Sequence, residues 1–131
     1  MKVAIDMANI DVSEVDYINA HGTSTKLNDQ YESEAIADVF GDSAQKLSVS
    51  STKGVTGHCV GAAGGIEAVF TVKALMHQTV PPTANLSEAD EGLTLDYTPN
   101  EPRERQIEYA LSNSFGFGGT NACLAFKAYK N

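Results

Sequence analysis

The sequence predicts an α/β domain in which a mixed sheet carries helices on both faces. Two observations lead there. Short β-branched strands alternate with helical segments, and polar or Gly-rich loops follow the strands. A third sets the scale: residues 62–77 form a helix that is apolar nearly all round, and such a helix needs cover on every side. One sheet and a few helices, all that 131 residues provide, cover one flank comfortably and the other poorly. The segment therefore reads as half of a larger body.

Taken in order, Val3, Ile5, Met7 and Ala8 make residues 1–9 a short helix without an N-cap side chain, as though continued from a longer element. Residues 15–20 (VDYINA) alternate as a strand and end in the polar loop HGTST. Asn28 is placed to cap a helix whose first turn holds Asp29 and Glu32 and whose stripe is Tyr31, Ala35, Ile36, Val39 and Phe40; Gly41 ends it. Residues 47–50 form a second short strand, again followed by a Ser/Thr/Gly loop and then the apolar helix. Residues 79–106 hold all four prolines and read as irregular, with a short strand around 93–97. Residues 108–115 and 121–129 close the chain as antiparallel strands around Gly116, Gly118 and Gly119. No linker or internal repeat divides the chain, so one domain over 1–131 is expected. Three loops, at 21–25, 51–61 and 115–121, are expected at one end of the sheet, where α/β folds place their chemistry.

Composition narrows the partners. Hydrophobic residues at 42% and charged residues at 20% describe a folded soluble protein. Nine Lys plus Arg against seventeen Asp plus Glu give a net charge of −8, which argues against nucleic acid or an anionic membrane as partner. Cys59 and Cys123 give no disulfide framework. No apolar run spans a bilayer, and MKVAIDMANI lacks the pattern of a signal peptide, so a cytoplasmic location is expected.

Several side chains carry candidate chemistry. His21 follows a strand and precedes Gly22 and three hydroxyl residues; it is either a loop histidine held by hydroxyls or an imidazole aimed into a pocket. His58, ahead of the apolar helix, is either a cap or loop residue or a neutral donor toward a developing oxyanion, since a helix N-terminus disfavours imidazolium. Lys53 is either a surface lysine or the partner of Glu67, whose place near the helix start the macrodipole alone also explains. Cys59 beside His58 is expected to be a small buried residue rather than a nucleophile. His21, His58, Cys59 and His77 lack zinc-ligand spacing, so no metal is expected. Neither Gly-rich segment gives GxxxxGK[ST] or a well-placed GxGxxG, which leaves nucleotide binding a weak alternative. The segment FGFGG (115–119) brings backbone N–H groups and Phe115 or Phe117 toward a ligand, or is simply a hairpin loop beside core aromatics.

INAHGTST (18–25), SSTKGVTGH with GAAGGIEA (50–68), PPTANL (81–86), LDYTPNE (95–101) and NSFGFGGTNA (113–122) resemble, in order, the C-terminal half of β-ketoacyl-acyl-carrier-protein synthase II. These acyltransferases are the elongating condensing enzymes of fatty acid synthesis. HGTST and VTGH favour that type over polyketide ketosynthases, whose loops read HGTGT and NIGH. The resemblance implies a thiolase-like half, with a five-stranded mixed sheet in α/β/α layers and residues 62–77 in a central helical layer shared with an N-terminal half. It implies that His21 and His58 bond the malonyl thioester carbonyl and stabilise the enolate formed on decarboxylation, with Lys53 and Glu67 as the polar pair behind them. Phe117 matches a gating phenylalanine that also helps form an oxyanion hole. Phe115 and Gly116 lie in the same loop, and Thr23 and Thr25 match threonines of a phosphopantetheine tunnel. Acyl carrier protein is the implied partner, and no cofactor is implied beyond its phosphopantetheine. The family's nucleophilic cysteine belongs to the N-terminal half; neither Cys59 nor Cys123 matches it, so the 131 residues alone are expected to be inactive. Lys26 stands at a usual proline, and Cys59 at a usual Leu or Ser. A non-catalytic assembly module of the same fold, covered by the missing half or by self-association, is the alternative.

Overall fold

Side chains alternate across a strand, so a buried strand feeds two faces at once. A computed structural model describing residues 1–129 shows how the chain meets that demand. Its elements are α1 (Lys2–Ala8), β1 (Val15–Asn19), α2 (Lys26–Phe40), β2 (Ser48–Ser50), α3 (Lys53–Thr56), α4 (Ala63–His77), β3 (Thr79–Val80), β4 (Arg103–Glu104), β5 (Tyr109–Phe115) and β6 (Asn121–Lys127). The main sheet has the order β2-β1-β5-β6. β2 and β5 flank β1 in parallel, and β6 runs antiparallel to β5 from Tyr109–Lys127 to Phe115–Asn121.

Ile18, Val49 and Leu111 face Ile5 of α1 and Ile36 and Phe40 of α2. Their strand neighbours Tyr17 and Ala110 point the other way, onto Ala74 and Leu75 of α4 with Val80 and Ile107. The α/β/α layering follows from period-2 strands between two helical layers.

The sheet departs from expectation at its β2 edge. Residues 93–97 do not form a strand; they touch it through one parallel bridge, Ser48–Asp96, with Val49 N donating to the Asp96 carbonyl at 2.8 Å. The Asp96 carboxylate accepts from Thr98 N at 3.1 Å, and Thr98 takes φ +46, which turns the chain away after that single pairing. Among the described residues the main sheet therefore has four strands rather than five, and β6 is its other edge. The irregular 79–106 segment instead pairs with itself as the two-residue strands β3 and β4.

A second correction concerns α2. Thr25, extended at φ −114 and ψ 143, is the N-cap, and its side chain accepts from Asn28 N. Asn28 lies inside the first turn, because only the residue still in extended geometry can reach back to those free N–H groups.

α4 buries Ala63, Glu67, Thr71, Ala74 and Leu75 against the sheet. Its opposite face exposes Val69, Val72 and Met76 to solvent, as the apolar pattern led one to expect. At about 25 cal/mol per Å², leaving that face in water is costly. The 131-residue chain alone is accordingly expected to self-associate in sedimentation velocity at high concentration. Val69→Glu with Met76→Glu should return it to a monomer; a wild-type chain that stays monomeric throughout would show that this face needs no cover.

Candidate active site

Because β1, β2 and β5 are parallel, the loops that follow them leave from one edge of the sheet. The loop after β1 carries His21, the loop after β2 carries Lys53 and His58, and β5 ends at Phe115. The tertiary fold brings these together. The rings of His21 and His58 meet edge to face with centroids 5.4 Å apart, and Phe115 lies 5.9 Å from His21.

Each loop is braced by its neighbours. Gly22 sits at φ +45, and a Cβ there would lie 2.4 Å from the Ser51 side chain, so glycine is required twice over. In that space Ser51 Oγ donates to the Gly22 carbonyl at 2.7 Å and accepts from Lys53 N at 3.3 Å. Ser51 N donates to Thr83 Oγ1, which donates to the Tyr97 carbonyl. Asn85 Nδ2 donates to the Gly54 carbonyl, and Gly54 packs so close that its Cβ would meet the Ala84 carbonyl at 2.4 Å. The PPTAN segment thus acts as a strap beneath α3.

Burial and charge set the electrostatics. His21 is only 8% exposed. Burial foremost, then the Lys53 ammonium and His58, lowers its pKa from 6.5 to about 4, so the ring is neutral at pH 7. Among the described residues its Nδ1 has no hydrogen-bond partner. Lys53 is buried too, and its ammonium pairs with the Glu67 carboxylate on α4. Burial pushes the Glu67 carboxyl up, against the pull of that ammonium. The Glu67 carbonyl accepts from Asn19 Nδ2 and Thr71 Oγ1, which holds this turn of α4 against β1.

His58 is exposed, and its Nδ1 accepts from Val60 N at 3.1 Å. With Nδ1 accepting, the ring proton sits on Nε2. Val60 reaches this contact at φ +47, a strained backbone for a β-branched residue. The pair can thus offer imidazole N–H groups to one oxygen, with a compensated cation behind them.

The other expected residues stand further out. Thr23 Oγ1 lies 3.3 Å from Thr25 Oγ1, and Thr25 caps α2. Gly116 N donates to the Thr120 carbonyl and closes the loop after β5, leaving Phe117 fully exposed at its tip. Phe115, not Phe117, touches His21. Cys59 is exposed rather than buried, because the short α3 ends at its Gly57 cap and the whole run that follows, 57–62, lies at the surface. His77 ends α4, fourteen residues beyond its start at Ala63. Among the described residues no cluster of three His, Cys, Asp or Glu could hold a metal ion, and no helix is long and apolar enough to cross a membrane.

Sequence reasoning missed Ser51, Asn113 and Glu32. It treated Glu32 as a first-turn acid; it is instead a buried carboxylate that accepts from the backbone of His21 and Gly22. No local signal marks a helical side chain that returns to a loop ten residues earlier.

The profile of the family described as β-ketoacyl synthase, C-terminal domain, matches residues 1–87. The chain is 56% identical over 124 residues to 3-oxoacyl-acyl-carrier-protein synthase 2 of Coxiella burnetii, covering 95% of this chain and 30% of that protein. It is 52% identical over 127 residues to nodulation protein E of Rhizobium meliloti, covering 97% of this chain and 32% of that protein. It superposes with a TM-score of 0.95 at 40% identity on a ketosynthase in complex with its type II PKS acyl-carrier protein, covering 98% of this chain and 32% of that one. The chain thus spans about a third of the length of the relatives it matches.

Two outcomes follow for this site. In an NMR titration the His21 ring should stay neutral until its midpoint near pH 4. Between pH 6.5 and 4 the unfolded ring takes up a proton that the folded one refuses. Its contribution to stability should therefore be constant above pH 6.5 and fall as pH drops through that window. An ordinary midpoint near 6.5 would show that the ring is not desolvated. Gly22→Ala should cost about 2–4 kcal/mol in denaturant unfolding, through positive φ and the clash with Ser51.

Proposed function

The chain belongs to the β-ketoacyl synthase C-terminal domain family, and we propose that it supplies the decarboxylating half of an elongating 3-oxoacyl-acyl-carrier-protein synthase of fatty acid synthesis. The observation that carries this reading is the edge-to-face meeting of His21 and His58 above the buried Lys53–Glu67 pair.

A malonyl thioester, delivered on the phosphopantetheine arm of an acyl carrier protein, sets its thioester carbonyl oxygen against the two imidazoles. The bond from the α-carbon to the carboxylate breaks, carbon dioxide leaves, and the electron pair moves through the α-carbon onto that oxygen. The N–H donors hold the enolate oxygen, and cover of the exposed His58 by the partner half excludes water so that fixed dipoles act at full strength. A neutral His21 suits this task, because it can donate a hydrogen bond without giving up its proton. The enolate carbon then attacks an acyl group held as a thioester on a cysteine of the partner half, and that thiolate leaves. Thr23, Thr25, Phe115, Gly116 and Phe117 line the approach of the arm and acyl chain in this reading. Every reacting protein group is a side chain, the location is the cytoplasm, and the cover for Val69, Val72 and Met76 is the nucleophile-bearing half. A non-catalytic assembly module would have no use for an ammonium buried beneath two imidazoles.

The test is made on a full-length synthase containing this sequence. His21→Ala and His58→Ala should each slow decarboxylation of malonyl-carrier thioester by at least about 100-fold while acyl transfer to the nucleophilic cysteine persists. Decarboxylation surviving in both variants would overturn the reading. The isolated 131 residues should show no acyl adduct by intact mass; an adduct on Cys59 or Cys123 would remove the need for a second half.

A further inference from the structure

Ser51 is 8% exposed, and its hydroxyl does two things with one atom. Oγ donates to the Gly22 carbonyl at 2.7 Å and accepts from Lys53 N at 3.3 Å. The first contact reaches 29 residues back, to the residue next to His21. The second reaches the first residue of α3. One hydroxyl therefore ties the loop that carries the His21 ring to the helix that carries the Lys53 ammonium.

Two further observations make the tie rigid. A Cβ on Gly22 would lie 2.4 Å from the Ser51 Cβ, so the loop and the serine touch with no room between them. On its other side Ser51 N donates to Thr83 Oγ1 at 3.1 Å. Thr83 is itself held three times: its hydroxyl donates to the Tyr97 carbonyl, its N–H donates to the Thr98 carbonyl, and its carbonyl accepts from Asn100 N. The irregular excursion after α4 thus ends in an anchor for Ser51.

We infer that Ser51 is a positioning residue for decarboxylation, one that sets the spacing between the His21 ring and the Lys53 ammonium without touching the substrate. This rests on the functional reading above. The inference follows from donor and acceptor chemistry. The position faces a carbonyl on one side and an N–H on the other, so it needs a single atom that both donates and accepts. A hydroxyl is that group. Alanine keeps the Cβ that fills the space beside Gly22 but offers neither bond. Water can then serve the Gly22 carbonyl and the Lys53 N–H, so the fold survives while the fixed distance between the two segments is lost. A misplacement of about 1 Å can cost on the order of 100-fold in rate. Glu32 still holds the N–H groups of His21 and Gly22, so only the carbonyl side is released and the loss should be smaller.

The experiment compares half-reactions in a full-length synthase containing this sequence. Ser51→Ala should slow decarboxylation of malonyl-carrier thioester by about 5- to 30-fold and leave acyl-enzyme formation within roughly threefold of wild type. The His21 titration midpoint should rise from about 4 toward 6.5, as water reaches the ring and the neighbouring ammonium moves off. A serine that served the fold alone would leave that midpoint in place. The assignment is overturned by any of three results in folded Ser51→Ala: wild-type decarboxylation, an equal fall in both half-reactions, or an unmoved midpoint. Should Ser51→Ala fail to fold, Thr83→Val carries the test. It keeps the shape of residue 83, removes the acceptor for Ser51 N, and should slow decarboxylation alone by roughly three- to tenfold. No slowing there overturns the assignment as well. His21→Ala is run alongside, and normal decarboxylation in that variant means that the functional reading, not the role of Ser51, has failed.

Discussion

A cation can stay buried beneath two imidazoles only if a carboxylate is buried with it. The Lys53–Glu67 pair meets that condition, and much of the molecule is arranged around it. An unpaired buried ammonium costs several kcal/mol, so Lys53 must bring Glu67 inward. Glu67 in turn sets the rotation of α4. With Glu67 turned to Lys53 and Thr71 buried on the same face, the small residues Ala63 and Ala74 are buried and the larger Val69, Val72 and Met76 face away. One ion pair thus links the chemistry at the strand ends to the face that looks for a second body.

Around that pair, local preferences are broken and compensated nearby. Gly22 and Val60 both take positive φ, the first beside a space filled by Ser51, the second to place its N–H on His58. Strained or permissive backbone persists when the surroundings over-determine it. Ser51, Thr83 and Glu32 do so by satisfying loop peptide groups that leave the sheet without a ladder partner. The cost falls on loops, whereas the strands that end at them remain regular.

The two faces of the sheet divide labour. The α1/α2 face is closed by apolar contacts from Ile5, Ile36 and Phe40, a self-sufficient compartment. The α4 face is thinner: Tyr17, Ala74, Leu75, Val80, Ile107 and Ala110 make a smaller cluster. Tyr17 needs Ser50 for its hydroxyl, and burial drives that phenol far above its ordinary pKa. A helix apolar on both sides over a modest core is what a shared central layer requires.

Periodicity alone made α2, α4, β1, β2 and the closing hairpin legible, because alternation and 3.6-residue spacing report burial directly. Parallel strands followed by polar loops implied a common edge, and there His21, Lys53, His58 and Phe115 converge. The choice between a surface Lys53 and a Lys53–Glu67 pair stayed open, since 14 residues of separation say nothing about distance. Tertiary structure decided it, together with the cap at Thr25 in place of Asn28, the single bridge at Asp96 in place of a strand, and the exposure of Cys59. Glu32 is the sharpest case. Its type and helical position were readable, but which way a helix face turns depends on how α2 lies across β1 and β5. Spacing along the chain reports local geometry and burial, whereas a carboxylate shared by a loop, a strand and its own helix exists only once packing has chosen its four donors.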